Sequence, residues 1–390
     1  MQLSNRISRV QPSATLAFTR LALEMKQAGR PVISLSAGEP DFDTPEHIVA
    51  AAEAAIAEGQ TRYTAVDGTA ALKQAICAKL MRDGMAFEDD QILVTSGAKQ
   101  ALFNAMMAIL NPGDEAIIPA PYWVSYPDMV RLGDGDAVIA PCSAVDGFKL
   151  TATALKQAIT DRSRMLVLNS PGNPTGRAYT RDEYLAIGKV LDQHPNIWIL
   201  TDEIYDAIYW GDEPVTPFLS ACPHLAERTL VVNGVSKAYA MTGWRIGYGA
   251  GPKPLIAAMR KIQGQSTSNA CSVSQAAAVA ALNGDQSCID RMNEAYQRRH
   301  HLMLNGLNAL PGVRCLPGDG AFYLLPDFSE ASAAKGAAND IEMTTQILEQ
   351  AEVAMVPGTP FGAPGHIRIA YATSDDNLKE ALDRLAHFLT

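Results

Sequence analysis

Hydrophobic and polar positions along this chain follow two alternating periods. From about residue 46 to 250, stretches with apolar residues three and four apart give way to short runs that are apolar throughout. Glu46–Glu58, Thr69–Arg82, Gly97–Leu110 and Arg181–Gln193 carry the helical period. Gln91–Thr95, Glu115–Pro119, Ala137–Ala140, Met165–Asn169, Ile197–Thr201, Thr229–Asn233 and Trp244–Ala250 are the strand candidates. Runs such as Met165-Leu-Val-Leu168 have no polar face, as expected for strands covered on both sides of a mostly parallel sheet. The expected fold class is α/β, with a large mostly parallel mixed sheet flanked by helices.

Past Pro252 the pattern turns helical, over Pro254–Gln263, Ser272–Leu282 and the long stretch Gln286–Ala309. Beyond Pro311-Gly312 come short strand signals at Gly320–Leu325, Val353–Val356 and Ile367–Tyr371, with helices near Glu342–Gln350 and Asn377–Leu389. This reads as a smaller α+β domain. Residues 46–290 are assigned to the large domain, and residues 1–45 with 291–390 to the small one. Ala331–Ala338 reads as an exposed, mobile linker.

A chain of 390 residues holds about two domains with ample core. Its net charge of −10 removes the basic footprint that nucleic-acid binding needs, but a site can be locally basic within an acidic protein. No apolar run approaches the roughly 18 residues that span a bilayer, and the N-terminus lacks the apolar core of a secretory signal. Six cysteines without a Cys-x-x-Cys pair read as thiols of a reducing compartment, and seven histidines form no ligand pattern. A cytoplasmic, metal-free protein is expected.

Ligand sites in such sheets gather at the carboxyl ends of the strands, where the unusual residues of this chain fall. Lys237 follows the strand candidate Thr229–Asn233; a lysine in a desolvated pocket loses its proton and attacks a carbonyl. Arg245, eight residues on, is suited to clamp a phosphate. Ser96-Gly-Ala-Lys99 is a glycine turn opening a helix, whose free N–H groups suit an anion. Asn169–Gly176 holds two prolines and two glycines, with Asn173-Pro174 a candidate cis bond and Asn173 a candidate ligand contact. Asp202 at a strand end needs a positive partner, such as a protonated heterocyclic nitrogen, and Tyr205 is placed to reach the same ligand. Trp123 offers an aromatic face. Arg368, among apolar neighbours, calls for a carboxylate, whether a ligand's or a structural partner's.

Together these residues resemble the fold-type I, pyridoxal-phosphate-dependent aminotransferases of class I. The match runs nearly end to end, through Ser36-Ala-Gly-Glu-Pro-Asp-Phe42, Thr61-Arg-Tyr-Thr64, Ser96–Lys99, Pro121-Tyr-Trp-Val-Ser125, Asn169–Gly176, Thr201-Asp-Glu-Ile-Tyr205, Ser236–Arg245 and Arg368. The resemblance implies that Lys237 binds pyridoxal 5′-phosphate covalently and then shuttles a proton. It implies that Asp202 pairs with the ring nitrogen, Tyr205 and Asn173 hold the 3-oxygen edge, and Trp123 stacks on the ring. The phosphate would rest on the amides of Gly97, Ala98 and Lys99 and on Arg245, with Tyr63 reaching in from the second subunit of a homodimer. Arg368, with Gly38, Trp123 and Asn173, would take the substrate α-carboxylate.

Two departures bear on that picture. The family often has a serine three residues before the lysine, where this chain has Gly234, so one phosphate hydrogen bond is expected to be lost or supplied by Ser236. Lys99 is similar to a lysine of one bacterial aspartate aminotransferase subgroup that meets the distal carboxylate of a dicarboxylic substrate; a solvated lysine is the alternative. Gln11 stands where several prephenate-accepting members carry a basic residue. The expected reaction is aspartate plus 2-oxoglutarate giving oxaloacetate plus glutamate, with aromatic or prephenate transamination, or C–S lysis, as alternatives. A ligand-sensing regulator would need an added DNA-binding domain, for which there is no room ahead of Ser36. Gly247-Tyr-Gly-Ala-Gly251 does not open a helix after a first strand, as a dinucleotide fingerprint would.

Overall fold

The computed structural model describes residues 3–10, 14–211, 213 and 215–390. Its largest sheet has seven strands: β1 (Ile92–Thr95), β2 (Glu115–Ala120), β3 (Asp136–Pro141), β4 (Ser163–Asn169), β5 (Trp198–Asp202), β6 (Thr229–Gly234) and β7 (Gly247–Ala250). They lie in the order β1-β7-β6-β5-β4-β2-β3. Only β7 runs antiparallel to its neighbours. The α/β reading and its seven strands are thus borne out, most to within a residue.

The all-apolar strands follow from what covers them. Leu166 and Leu168 of β4 enter one core with Ile117, Ile199 and Val231, while Met165 and Val167 enter the opposite core with Ile118, Leu200 and Val232. Successive side chains point to opposite faces, so a sheet with helices on both sides needs apolar residues at every position. The helices are started by local chemistry, as at Thr180, which caps Arg181–Leu191 in a reciprocal capping box with Glu183.

A third core surrounds a three-stranded antiparallel sheet of Val356–Pro357, Ile367–Ala370 and Tyr323–Leu324, in which Val356 pairs with Arg368. Ile33–Ser34 pairs in parallel with Val353–Ala354, so the expected strand Val353–Val356 is divided between two sheets. Ahead of it, Arg6 and Arg9 form ion pairs with Asp134 near the large sheet. The helix Ser287–Asn308 runs alongside the C-terminal helix Asp375–Leu389.

Two sequence expectations need correction. Ala331–Ala338 is not an exposed linker: Ser329–Ala334 is a helix with Ala331 and Ser332 buried. Its small side chains matter because the Gly312 backbone packs directly on Ala331, where a Cβ would sit 2.8 Å from the Ala331 nitrogen. The strand expected from Trp244 begins only at Gly247. Thr242–Trp244 is a 3₁₀ turn and Arg245 is left-handed, with φ 57°. A Cβ on Gly247 would lie 2.1 Å from the Ala98 nitrogen, so β7 meets the Gly97–Ala98 turn backbone to backbone. Four helices also escaped the pattern: Ala14–Gln27, Ser125–Leu132, Ala152–Ala158 and Phe218–Ala221. Gln11 lies outside the described residues.

Candidate active site

The carboxyl ends of β1, β2, β4, β5 and β6 open on one cavity of about 450 Å³. Asp202, Tyr205, Lys237, Asn173, Trp123, Ala98, Lys99, Arg245, Ser236, Gly38 and Arg368 all line it. Gly97 forms the turn beneath Arg245, where a Cβ would be 2.4 Å from Nη2. Tyr63 is elsewhere: it is 92% exposed and absent from the cavity wall of its own chain.

Asp202 ends β5 and is buried. Its carboxylate accepts the Tyr126 hydroxyl at 2.6 Å and the Ile204 amide at 3.3 Å. Burial pushes its pKa up to about 6, against the lowering effect of those bonds and of Lys237. Lys237 donates to the Gly38 carbonyl at 2.5 Å. Burial lowers its pKa to about 8; Glu39 opposes this, while Arg245 and Arg368 reinforce it. The Tyr205 hydroxyl meets that of Tyr323 at 2.8 Å.

At one end of the cavity the helix Ala98–Ile109 begins, and Arg245 lies over its first turn. The Gly97 amide is already bonded to the Thr95 carbonyl at 2.9 Å, so Ala98 and Lys99 present the first-turn N–H groups. The Lys99 Nζ sits 4.7 Å from the Trp123 ring centroid, and burial followed by the Arg245 charge lowers its pKa. Gly234 has a steric cause: a Cβ there would lie 2.8 Å from the Ile246 carbonyl oxygen and 2.9 Å from Gly247 Cα.

At the other end Arg368, only 2% exposed, donates to Asn173 Oδ1 at 3.2 Å and to the Ser36 carbonyl at 2.7 Å. It stacks between Tyr323 and Phe361, at 4.7 and 5.0 Å from the ring centroids. Its Nε has no hydrogen-bond partner, and among the described residues no carboxylate forms an ion pair with it. The structural ion pair considered from the sequence is therefore not what holds Arg368. Asn169 turns the loop in place, its Oδ1 accepting the Asn173 amide at 2.8 Å and its Nδ2 donating to the Asp202 carbonyl at 2.9 Å. Asn173-Pro174 is cis, as expected.

Sequence reasoning missed Tyr126, Tyr323 and Ser36 as parts of this site. Tyr126 stands one residue past the Pro121–Ser125 motif, and Tyr323 lies in a run whose apolar pattern marks it only as core. Ser36 contributes a carbonyl, which no side-chain pattern can reveal.

Comparison with known proteins agrees with this geometry. The family model for aminotransferase class I and II matches residues 30–385. An aspartate/prephenate aminotransferase of Nitrosomonas europaea is 49% identical, with 100% of each chain covered. An aspartate aminotransferase of Rhizobium meliloti is 51% identical over 99% of this chain and 95% of its own. Among solved structures, the Rhizobium meliloti aspartate aminotransferase superposes with a TM-score of 0.95 at 48% identity, covering 100% of this chain and 99% of the other. The Thermus thermophilus aspartate aminotransferase with maleate gives 0.94 at 41% identity, with 100% of both covered. A match of that extent, on top of this strand-end constellation, makes the chain a member of the class I and II aminotransferases.

Proposed function

We propose that this aminotransferase converts aspartate and 2-oxoglutarate to oxaloacetate and glutamate, using pyridoxal 5′-phosphate. One observation carries the reading: an amine with a depressed pKa and a buried arginine without an anionic partner face the same cavity. Relatives named for aspartate at about half identity support the substrate, and a neighbour solved with maleate, a four-carbon dicarboxylate, supports its class.

The residues present fit the cofactor. A cation-rich helix start at Lys99 and Arg245 suits a phosphate, and the absent Cβ of Gly97 lets the Arg245 guanidinium lie over that turn. The Asp202 carboxylate, buried with one hydroxyl and one amide, gains most from a cation such as a protonated ring nitrogen. When bound, the cofactor supplies an aldehyde and a ring that draws electrons from the substrate Cα.

The remaining work belongs to the chain. Lys237, as free amine, would hold the cofactor through its aldehyde carbon and, once displaced by substrate, would move the proton at the substrate Cα. Asp202 keeps the ring nitrogen protonated. The Tyr205 hydroxyl and the Asn173 amide hold the ring's 3-oxygen edge, and Trp123 packs on the ring face. The amides of Ala98 and Lys99, with Arg245 and Ser236, hold the phosphate. Arg368 takes the α-carboxylate, aided by Gly38, Trp123 and Asn173, and the Lys99 ammonium faces the distal carboxylate.

The same reading carries a homodimer, with Tyr63 entering the partner's site. A wider recess of about 810 Å³ beside the cavity, sharing Lys99 and Arg245 and walled by Phe103, Met129 and Leu132, supports a subunit seated there. It also carries the division into residues 46–290 and residues 1–45 with 291–390. The two cores of the seven-stranded sheet draw on residues 48–288, and the third mostly on Leu35 and residues 292–385. No described helix is long and apolar enough to cross a membrane, which accords with a cytoplasmic location.

A second reading has its own support: several relatives, those of Nitrosomonas europaea and Cereibacter sphaeroides among them, are also named for prephenate. Initial rates of the cofactor-loaded enzyme with aspartate, phenylalanine, prephenate and cystathionine decide between the two. Aspartate is expected to give the highest kcat/KM, and a panel led by another donor overturns the assignment. Lys237→Ala is expected to lose turnover by roughly 10⁴-fold or more; retained turnover ends the role of this lysine.

A further inference from the structure

One cluster of partly buried charges, with side chains 15–29% exposed, is used by none of the chemistry above. Lys79, on the helix Ala70–Arg82, pairs with Asp206 and with Asp83, the latter at 2.8 Å. Asp206 is the residue after Tyr205, and its Oδ2 also accepts Asn233 Nδ2 at 2.8 Å. Asn233, only 1% exposed, turns its Oδ1 to the Gly234 amide at 2.7 Å. Gly234 opens the turn that ends at Lys237.

A continuous chain of polar contacts therefore runs from an outer helix, through the loop after β5, to the loop after β6. It joins the backbone carrying Tyr205 to the backbone carrying Lys237. The same loops touch elsewhere through the Glu203 N–H, which donates to the Val232 carbonyl at 2.9 Å. That backbone bond extends the strand pairing, whereas the Asp206–Asn233 contact is a side-chain bond that ties one loop to the other, beside Ile204 packed over Gly234.

Energetics argue that the cluster is there for geometry. Exchanging a buried ion pair for apolar residues of similar volume is often neutral or stabilising, so stability alone does not account for three charges packed under the site. Polar groups with fixed partners specify a unique arrangement where apolar packing tolerates several. We propose that Asp206, anchored by Lys79, is a positioning residue that acts through Asn233 to set the Lys237 turn against the Tyr205 turn. The inference rests on the proposed reading of Lys237 and Tyr205 as cofactor contacts.

The test uses cofactor-loaded wild type, Asp206→Asn and the apolar double variant Lys79→Met/Asp206→Leu. Three quantities are read: kcat and KM for aspartate, the pH titration of the bound cofactor's visible band, and Tm. Mispositioned turns are expected to lower kcat about tenfold with KM within about twofold, and to move the band's midpoint by about half a pH unit or more. The double variant is expected to keep a Tm near that of wild type while showing both changes. Folded variants with unchanged kcat and band titration overturn the proposal, whatever their Tm. If the double variant does not fold, the near-isosteric Asp206→Asn decides the matter on the same two readouts. A wild type that takes up no cofactor removes the reading beneath it; a wild type that turns over beside unaltered variants removes the positioning role alone.

Discussion

The two ends of the cavity are built on different terms. At the strand-end floor, polar groups find partners within the protein: Asp202 has Tyr126, Lys237 has Gly38, and Tyr205 has Tyr323. Arg245 there is exposed, so its charge is solvated at little cost. At the far end Arg368 is buried, with two neutral acceptors and one unpaired Nε. A guanidinium out of water without an anion is costly, and a bidentate carboxylate relieves that cost. The floor is thus largely bonded as folded, with Asp202 still open to a cation, while the Arg368 end is completed by what binds. The contrast matches a cofactor that stays and a substrate that comes and goes.

The strongest way to break this contrast is Arg368→Leu. Losing a buried charge-assisted pair costs about 2–5 kcal/mol in binding, so kcat/KM for aspartate is expected to fall by about 30- to 5,000-fold. Stability is expected to move the other way: Tm is held or raised, because an uncompensated buried charge has gone. Steady-state kinetics and a melting curve of the cofactor-free protein read both. A Tm that falls sharply with activity would mean that Arg368 is already satisfied within the fold.

The floor has one exception, and pH sharpens it. With a pKa of about 8, below the 10.5 of an ordinary lysine, Lys237 is still about nine-tenths protonated at pH 7. The neutral amine is the nucleophile, so cofactor uptake by cofactor-free protein is expected to speed up about tenfold between pH 7 and 9 and to level off above pH 8. An ordinary lysine would give a rate still climbing at pH 10. The linkage has the matching sign: between about pH 8 and 10.5 the unfolded chain holds a proton that the folded chain does not. This group therefore makes the cofactor-free protein more stable as pH rises through that window, and its full destabilising effect is present below it.

How much of this was legible in the sequence depended on whether a residue acts through its type or its setting. The seven strands, the cis Asn173-Pro174 bond, and most of the cavity lining were readable, because apolar runs and strand-end motifs have short-range causes. The left-handed turn at Arg245 was not. It is imposed by β7 packing its Gly247 backbone on the start of a helix about 150 residues earlier in the chain. Ala331–Ala338 misled because alanine-rich composition looks the same in a linker and in a helix packed beneath a glycine. Tyr323 was hidden for a related reason, since a tyrosine in an apolar run reads as core until its hydroxyl is seen to meet Tyr205, and Tyr126 declared itself only when its hydroxyl met Asp202.

Lys99 lies between the two ends, and it provides the finest test. Its ammonium packs over Trp123 beside Arg245, and both burial and that second cation lower its pKa. An anion placed there relieves both effects, so a distal carboxylate should gain from Lys99 where a neutral side chain does not. The gain is modest because the residue remains exposed and screened by solvent. Lys99→Ala is expected to lower kcat/KM for aspartate about fivefold and leave that for phenylalanine unchanged. Equal losses for the two donors would move Lys99 out of substrate recognition and into the phosphate end of the floor. Equal losses combined with weaker cofactor retention would identify its backbone and charge as serving the same anion as Arg245.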